Sequence, residues 1–258
     1  MPYHAPHLYP APALVASSAS VTPAPAPVAP TSANFTFADD FVGPEGSAPG
    51  SASWNHITGP GSQVGGNHET ETYVRSTENA YLDGQGHLVI AVTAAGSGYH
   101  SARLTSKFSQ LYGHWEACIA IQNAAGCWPA FWFLGNNGAW PRCGECDVME
   151  NYGTNFTDGT VWNSTATANQ NNVSADPSDD NFHIYRMDWV KGQIQLYRDD
   201  VLYVTATSKK ISPWPFDTNG GMYAILNIAT DGTGTGGIEP SRGALPAKML
   251  VEYVHTWR

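Results

Sequence analysis

The feature that most constrains the fold is a succession of short segments that alternate apolar and polar residues, broken by glycine, proline and asparagine. They are "GHLVIAV" (86–92), "HWEACIAI" (114–121), "WPAFWFLG" (128–135), "GECDVMEN" (144–151), "HIYRMDWV" (183–190), "QIQLYRD" (193–199), "VLYVTAT" (201–207), "MYAILNIAT" (222–230) and "MLVEYVHTW" (249–257). A period of two, with turn residues between the runs, predicts strands. "VKGQIQLYRDDVLYVTAT" reads as two successive hairpins, turning at Lys191-Gly192 and Asp199-Asp200. No stretch long enough for a globular helix carries a 3.6-residue period. Many short strands at this spacing predict an all-β sandwich or barrel. No internal repeat is visible.

The chain divides once. Residues 1–33 contain no Asp, Glu, Lys or Arg and are dominated by Ala, Pro, Ser and Thr, a linker composition that cannot bury enough surface to fold. They lack the charged and apolar regions of an intact signal peptide and are expected to be a tail or linker. Residues 34–258 are expected to form one folded domain. Of 258 residues, 22 are acidic and 12 are Lys or Arg, for a net charge of −10. That balance offers no basic field for a nucleic-acid backbone or an anionic membrane surface. No apolar run is long enough to span a bilayer. With 9 Trp and 12 Tyr in a chain only 13% charged, the composition suits a β-rich protein that is secreted or held at a cell surface.

Four cysteines stand at 118, 127, 143 and 146. Cys143 and Cys146 form a CxxC, but no second such pair completes a zinc site, and disulfides in an oxidising compartment are expected instead, with three pairings open. Four Asn-x-Ser/Thr sequons begin at Asn34, Asn155, Asn163 and Asn172, the last three in a polar stretch, 153–181, that reads as a loop over one face. "GTGTGG" (232–237) lacks the Lys-Ser/Thr of a phosphate loop and reads as a turn. No GxSxG elbow is present.

The decisive chemistry lies in Glu145-Cys146-Asp147-Val148-Met149-Glu150. Acids are depleted in strands, and here three fall within six residues. Alternation puts Glu145 and Asp147 on one face and would turn Glu150 to the other. One extra residue, a β-bulge at Val148-Met149, brings Glu150 back. Three neighbouring carboxyls cannot all ionise freely, so their pKa values separate. A retaining glycosidase needs one carboxylate nucleophile and one protonated acid. Along the strand, Glu145 and Glu150 are about four steps, or roughly 13 Å, apart at Cα. Side chains leaning inward then bring the carboxyls to the roughly 5–5.5 Å of a covalent mechanism. Trp128 and Trp132 share one face of the preceding strand, and Trp140 follows in the loop before the acids. Aromatic rings beside carboxylates suit a sugar-binding surface.

"GHWEACIAIQNAAGCWPAFWFLG…WPRCGECDVMENYG" resembles the central signature of glycoside hydrolase family 16, in the laminarinase-type branch whose acid motif carries the extra residue. The resemblance spans about 34–258, including "TENAYLDGQGHLVIAV", "HSARLTSKFSQLYGHWEA", "NFHIYRMDWVKGQIQLYRDD" and "LPAKMLVEYVHTW". It implies a jelly-roll β-sandwich of two curved antiparallel sheets with an open concave cleft. It also implies a retaining, endo-acting β-glycosidase on β-1,3-linked polysaccharide, foremost β-1,3-glucan. Glu145 would be the nucleophile, Glu150 the general acid/base, and Asp147 the residue that poises Glu145. Trp132 and Trp140 would stack on sugars on the non-reducing side, joined by Trp128. Asn67, Glu69, Tyr73, Arg103 and Asn227 match polar cleft positions. No cofactor is required for catalysis. A structural calcium is implied near Glu252, where the family often carries Asp. The expected partner is the polysaccharide alone, and the protein is expected to be a monomer.

Two departures bear on substrate. Laminarinases commonly carry a His after a Thr-Val pair downstream of the acid/base, whereas Thr160-Val161 is followed by Trp162-Asn163. The family's Gly-Gly after the "LN" strand becomes Asp231-Gly232. His183 and Trp189 match a family pattern but are read as structural. Another wall glycan such as β-1,3-galactan is therefore an alternative substrate, and transglycosylation and a non-catalytic glycan-binding module on the same fold are the competing functions.

Overall fold

The computed structural model describes residues 34–154, 156–163, 173–177 and 181–258. The tail at 1–33 and the sequons at Asn155 and Asn172 lie outside these residues. The strands, in chain order, begin with β1 (Phe37–Asp39), β2 (Trp54–Ile57), β3 (Gly59–Pro60), β4 (Glu71–Tyr73), β5 (Ala80–Leu82) and β6 (Leu88–Ala95). Then follow β7 (Gly98–Ser101), β8 (Arg103–Gln110), β9 (Gly113–Ile121), β10 (Cys127–Gly135), β11 (Glu145–Glu150) and β12 (Phe156–Trp162). The last are β13 (Val173–Pro177), β14 (His183–Val190), β15 (Gln193–Arg198), β16 (Val201–Thr207), β17 (Met222–Thr230) and β18 (Ala247–Trp257). Among the described residues, one short α-helix, α1 (Gly61–Val64), and two 3-10 turns, Pro215–Asp217 and Arg242–Ala244, interrupt them. Among the described residues, no helix is long and apolar enough to cross a membrane.

The strands form two sheets, as the alternation requires. One runs β16-β15-β14-β9-β18-β6-β7-β4-β3, with β1 added on β18 and β5 on β6. The other runs β13-β12-β11-β10-β17-β8-β2. The pairs are antiparallel except β4 with β7, which is parallel. At the β15–β16 hairpin, Asp199 and Asp200 both take positive φ (49° and 63°), the twist of a tight two-residue turn. Within the polar stretch 153–181, expected to be a loop, residues 156–162 and 173–177 are strands: β12 pairs with β11, and β13 with β12, at one end of the second sheet. Its polar residues mislead because alternate positions of β12 face the cleft, while Val161 is fully buried.

The core fills the gap between the sheets. Trp54, Trp115, Phe131, Phe133 and Trp189 are all at or near zero exposure, with Phe133 edge-on to Trp115 and Phe131. Strand β10 shows how the sequence divides. Phe131 and Phe133 enter the core, whereas Trp128, Ala130, Trp132 and Leu134 line the cleft on the other face. Trp189 packs against Tyr112 inside, and His183 contacts Asp199 at 2.5 Å, so both serve the scaffold.

The four cysteines are free and buried, which corrects the disulfide expectation. They occupy different layers. Cys127 and Cys146 belong to the inter-sheet core, whereas Cys118 lies outside that core and hydrogen-bonds Glu252. Burial lifts the Cys118 and Cys146 thiols well above the usual range, so both stay protonated and inert. Glu252 is exposed at a bulge of β18. Among the described residues no group of three or more His, Cys, Asp or Glu is placed to hold a metal ion.

The register of β11 carries the bulge. Against β10, Trp132 faces Asp147 and Phe131 faces Met149, leaving Val148 as the extra residue. Against β12 the register shifts at the same place, between Asp147 and Glu150. Val148 and Met149 both point into the core at zero exposure. The hydroxyl of Tyr203, on β16 of the opposite sheet, donates to the Val148 carbonyl. A buried carbonyl that leaves the ladder thus finds its partner across the core. Tyr203→Phe should leave that carbonyl unsatisfied and lower stability by about 1–3 kcal/mol. Thermal unfolding, followed by circular dichroism, measures it.

Candidate active site

A cleft of about 700 Å³ lies on the face of the second sheet that turns away from the core. Strands β12, β11, β10, β17 and β8 supply its floor, and its walls come from α1 with the following loop and from the 233–234 loop. The bulge puts Glu145, Asp147 and Glu150 together on that floor. Gly144 lets the chain enter β11. Its φ is +79°, and a Cβ there would sit 2.8 Å from the Phe216 ring.

The acids are held by different neighbours. Glu150 is 8% exposed, and it accepts from Trp128 Nε1 on one oxygen and from the Tyr152 hydroxyl on the other, each at 2.9 Å. Asp147 is 3% exposed and hydrogen-bonds the Trp162 indole. Glu145 hydrogen-bonds the indole of Trp140, whose ring is otherwise largely exposed. Burial raises the pKa of all three carboxyls. The charge of Glu150 raises Glu145 further, and the charges of Glu145 and Glu150 raise Asp147. Trp128 and Tyr152 act the other way on Glu150, because their donated hydrogen bonds favour the ionised form. Near neutral pH the row therefore carries fewer than three negative charges and retains a transferable proton. Its protonation belongs to the row as a whole and not to one residue.

Trp132 forms a platform on the floor. The Arg103 guanidinium lies over its ring at 4.7 Å, and its Nε1 donates to Asn227 Oδ1 at 2.7 Å. The Asn227 amide donates to the Tyr73 hydroxyl at 3.0 Å, which in turn donates to Glu69 at 3.2 Å. Asn67, Glu69, Arg103 and Asn227 all line the cleft. Tyr73 does not. It is fully buried beneath the floor, so it reaches the cleft only through Asn227 and Glu69, which corrects its expected position at the surface. Glu69 hydrogen-bonds the neighbouring carboxyl of Glu71, and burial and the Glu71 charge raise its pKa. Glu71 accepts from the Thr230 backbone N–H at 2.6 Å.

Several lining groups escape a reading of the sequence. Tyr152 lies just past the end of β11, where strand alternation no longer applies. Trp162 follows Thr160-Val161 on β12, and the next residue, Asn163, is buried with its amide donating to the Ser212 carbonyl. The Gly-rich turn forms a wall. A Cβ on Gly234 would come within 2.7 Å of the Tyr152 ring and 2.8 Å of Trp128, so only glycine fits.

The raised carboxyl pKa values set a stability prediction. For an acid whose folded pKa lies above its unfolded one, the folded state favours the protonated form. Stability is full below the unfolded pKa and is lost as pH rises through the folded pKa. Asp147→Asn removes that buried acid while keeping an acceptor for Trp162. Its Tm should equal the parent's near pH 4 and exceed it increasingly toward pH 8, while activity falls. Melting curves across that pH range check this.

The sequence model described as Glycosyl hydrolases family 16 matches residues 67–241. A Rhodothermus marinus protein named "Beta-glucanase" is 32% identical over 220 residues, which is 75% of each chain. A Cryptopygus antarcticus "Glucan endo-1,3-beta-glucosidase" is 31% identical over 224 residues, 74% of this chain and 82% of that one. The X-ray structure of the laminarinase from Rhodothermus marinus aligns over 87% of this chain and 97% of its own, with 30% identity and a TM-score of 0.77. A match over most of the folded domain, joined to the two-sheet architecture, identifies the chain as a glycoside hydrolase that belongs to glycosyl hydrolase family 16.

Proposed function

We propose that the protein is a retaining endo-β-1,3-glucanase that cleaves laminarin-like chains by double displacement. The observation that carries this reading is the row of half-buried Glu145 and buried Asp147 and Glu150 on the floor of an open cleft bordered by Trp128, Trp132, Trp140 and Trp162. Glu145 attacks the anomeric carbon and forms a glycosyl-enzyme, while Glu150 gives its proton to the departing oxygen. Glu150 then takes a proton from water, which attacks the same carbon and releases Glu145. Trp128 and Tyr152 hold Glu150 by both oxygens and support its negative charge once the proton has left. Asp147, between the two, is held by Trp162, and its protonation is tied to theirs by like-charge repulsion. The indole rings and the Asn67, Glu69, Arg103 and Asn227 side chains bind the sugars. No cofactor enters these steps.

An open cleft suits attack within a polymer. The names of the relatives, a glucan endo-1,3-beta-glucosidase and a laminarinase, support the β-1,3-glucan reading. A pure binding module on this fold would gain nothing from three acids that repel one another. We also place the protein outside the cell, where the polymer is found. The uncharged Ala/Pro-rich residues 1–33 support that setting.

Glu145→Gln and Glu150→Gln should each reduce reducing-sugar release from laminarin by roughly three orders of magnitude or more, with the melting temperature kept or raised. Near-full activity in Glu145→Gln would exclude it as nucleophile. Lengthening of labelled laminari-oligosaccharides without net reducing-sugar release would favour transglycosylation instead.

A further inference from the structure

The sheet beneath the cleft continues past the last lining residue, with Ile225 and Thr105 themselves buried. Its strands continue in register from the acid row to the sheet edge. Asp147 faces Trp132, Trp132 faces Ile225, Ile225 faces Thr105, and Thr105 faces Asn55 on the edge strand β2. The Asn55 amide donates to Thr105 Oγ1 at 3.4 Å, so the two side chains share a face. The row spans four inter-strand steps, or about 19 Å.

Where the row ends, a second cavity of about 450 Å³ opens. Asn55, His56, Arg75 and Lys107 line it, with the turn at 48–51, and no carboxylate does. That composition is unusual for a chain with a net charge of −10. Arg75 is exposed and, among the described residues, has no hydrogen-bond or ion-pair partner. Lys107 donates one bond to the Ser51 carbonyl at 2.7 Å, which fixes its ammonium at the rim and leaves two donors free. The ring Nδ1 of His56 is buried with no partner. One tethered ammonium, one unpaired guanidinium and an amide border this space, and none of its lining residues supplies a negative charge.

We propose that this pocket is a subsite for an anionic oxygen group, a sulfate ester or a carboxylate, carried by the polysaccharide on the arm of the cleft beyond Trp132. The proposal rests on the glucan-cleaving reading and adds that substituted, acidic chains are preferred over plain ones. A charge-assisted contact strengthens when both partners are positioned beforehand, and salt screens it because Arg75 and Lys107 face solvent.

Native gel electrophoresis of the full chain through gels containing laminarin, sparsely sulfated laminarin or carboxymethylated laminarin tests this as binding, separately from hydrolysis. The intact protein should be retarded by the substituted polymers at about tenfold lower concentration than by laminarin. The difference should shrink with added salt, and inorganic sulfate should compete. Arg75→Ala with Lys107→Ala should erase the difference between polymers, and Arg75→Glu should reverse it. Preference for the sulfated but not the carboxymethylated polymer, or the converse, identifies the group. Equal retardation by all three polymers, or a preference that survives in the double variant, would overturn the proposal. If laminarin were bound but never cleaved, the hydrolytic reading would fail while the subsite stood.

Discussion

The site depends on one inserted residue. Val148 is extra in β11 relative to both neighbouring strands, and its presence decides on which face Glu150 emerges. In a regular strand Glu150 would lie in the inter-sheet core, where an unpaired carboxyl could not be accommodated. The bulge sends Val148 and Met149 inward together, where both are fully buried, and returns Glu150 to the cleft. The irregularity is anchored from the opposite sheet by Tyr203. Gly159 permits that contact, since a Cβ there would come within 2.5 Å of the tyrosine ring. The scaffold and the chemistry thus share one interaction.

The acid row opposes folding. Each carboxyl has lost most of its water, and burial raises the pKa of all three. The cleft offsets this with donors placed one by one: Trp140 for Glu145, Trp162 for Asp147, and Trp128 with Tyr152 for Glu150. The indole nitrogens therefore tune the acids. A second buried pair, Glu69 and Glu71, lies under the far wall and is joined to the Trp132 platform through Tyr73 and Asn227. Strain of this kind is expected where function, not stability, selects the residues.

Much of this was legible in the sequence. The alternation of 128–135 separates Phe131 and Phe133 from Trp128 and Trp132, and the structure keeps that division. The bulge follows from counting, because three acids that are to share a face need one more residue than alternation allows. Contacts distant along the chain were not legible. Nothing near position 203 marks that tyrosine as the partner of Val148. The depth of Tyr73 depends on how β4 sits beside β7, which its local pattern does not reveal. Strand β12 was missed because its cleft-facing residues are polar, and polarity was read as solvent exposure. The cysteines misled for a similar reason: their spacing invites bridges, whereas the layers of the sandwich separate Cys118 from Cys127 and Cys146.

The central claim is that the bulge places Glu145 and Glu150 for a covalent double displacement. The anomeric configuration of the first-formed products tests it most directly. Proton NMR of a laminarin digest, recorded before mutarotation, should show the β-anomer appearing first. Initial appearance of the α-anomer would contradict the account, because it would mean a single displacement by water, with the two carboxyls too far apart for Glu145 to act as nucleophile.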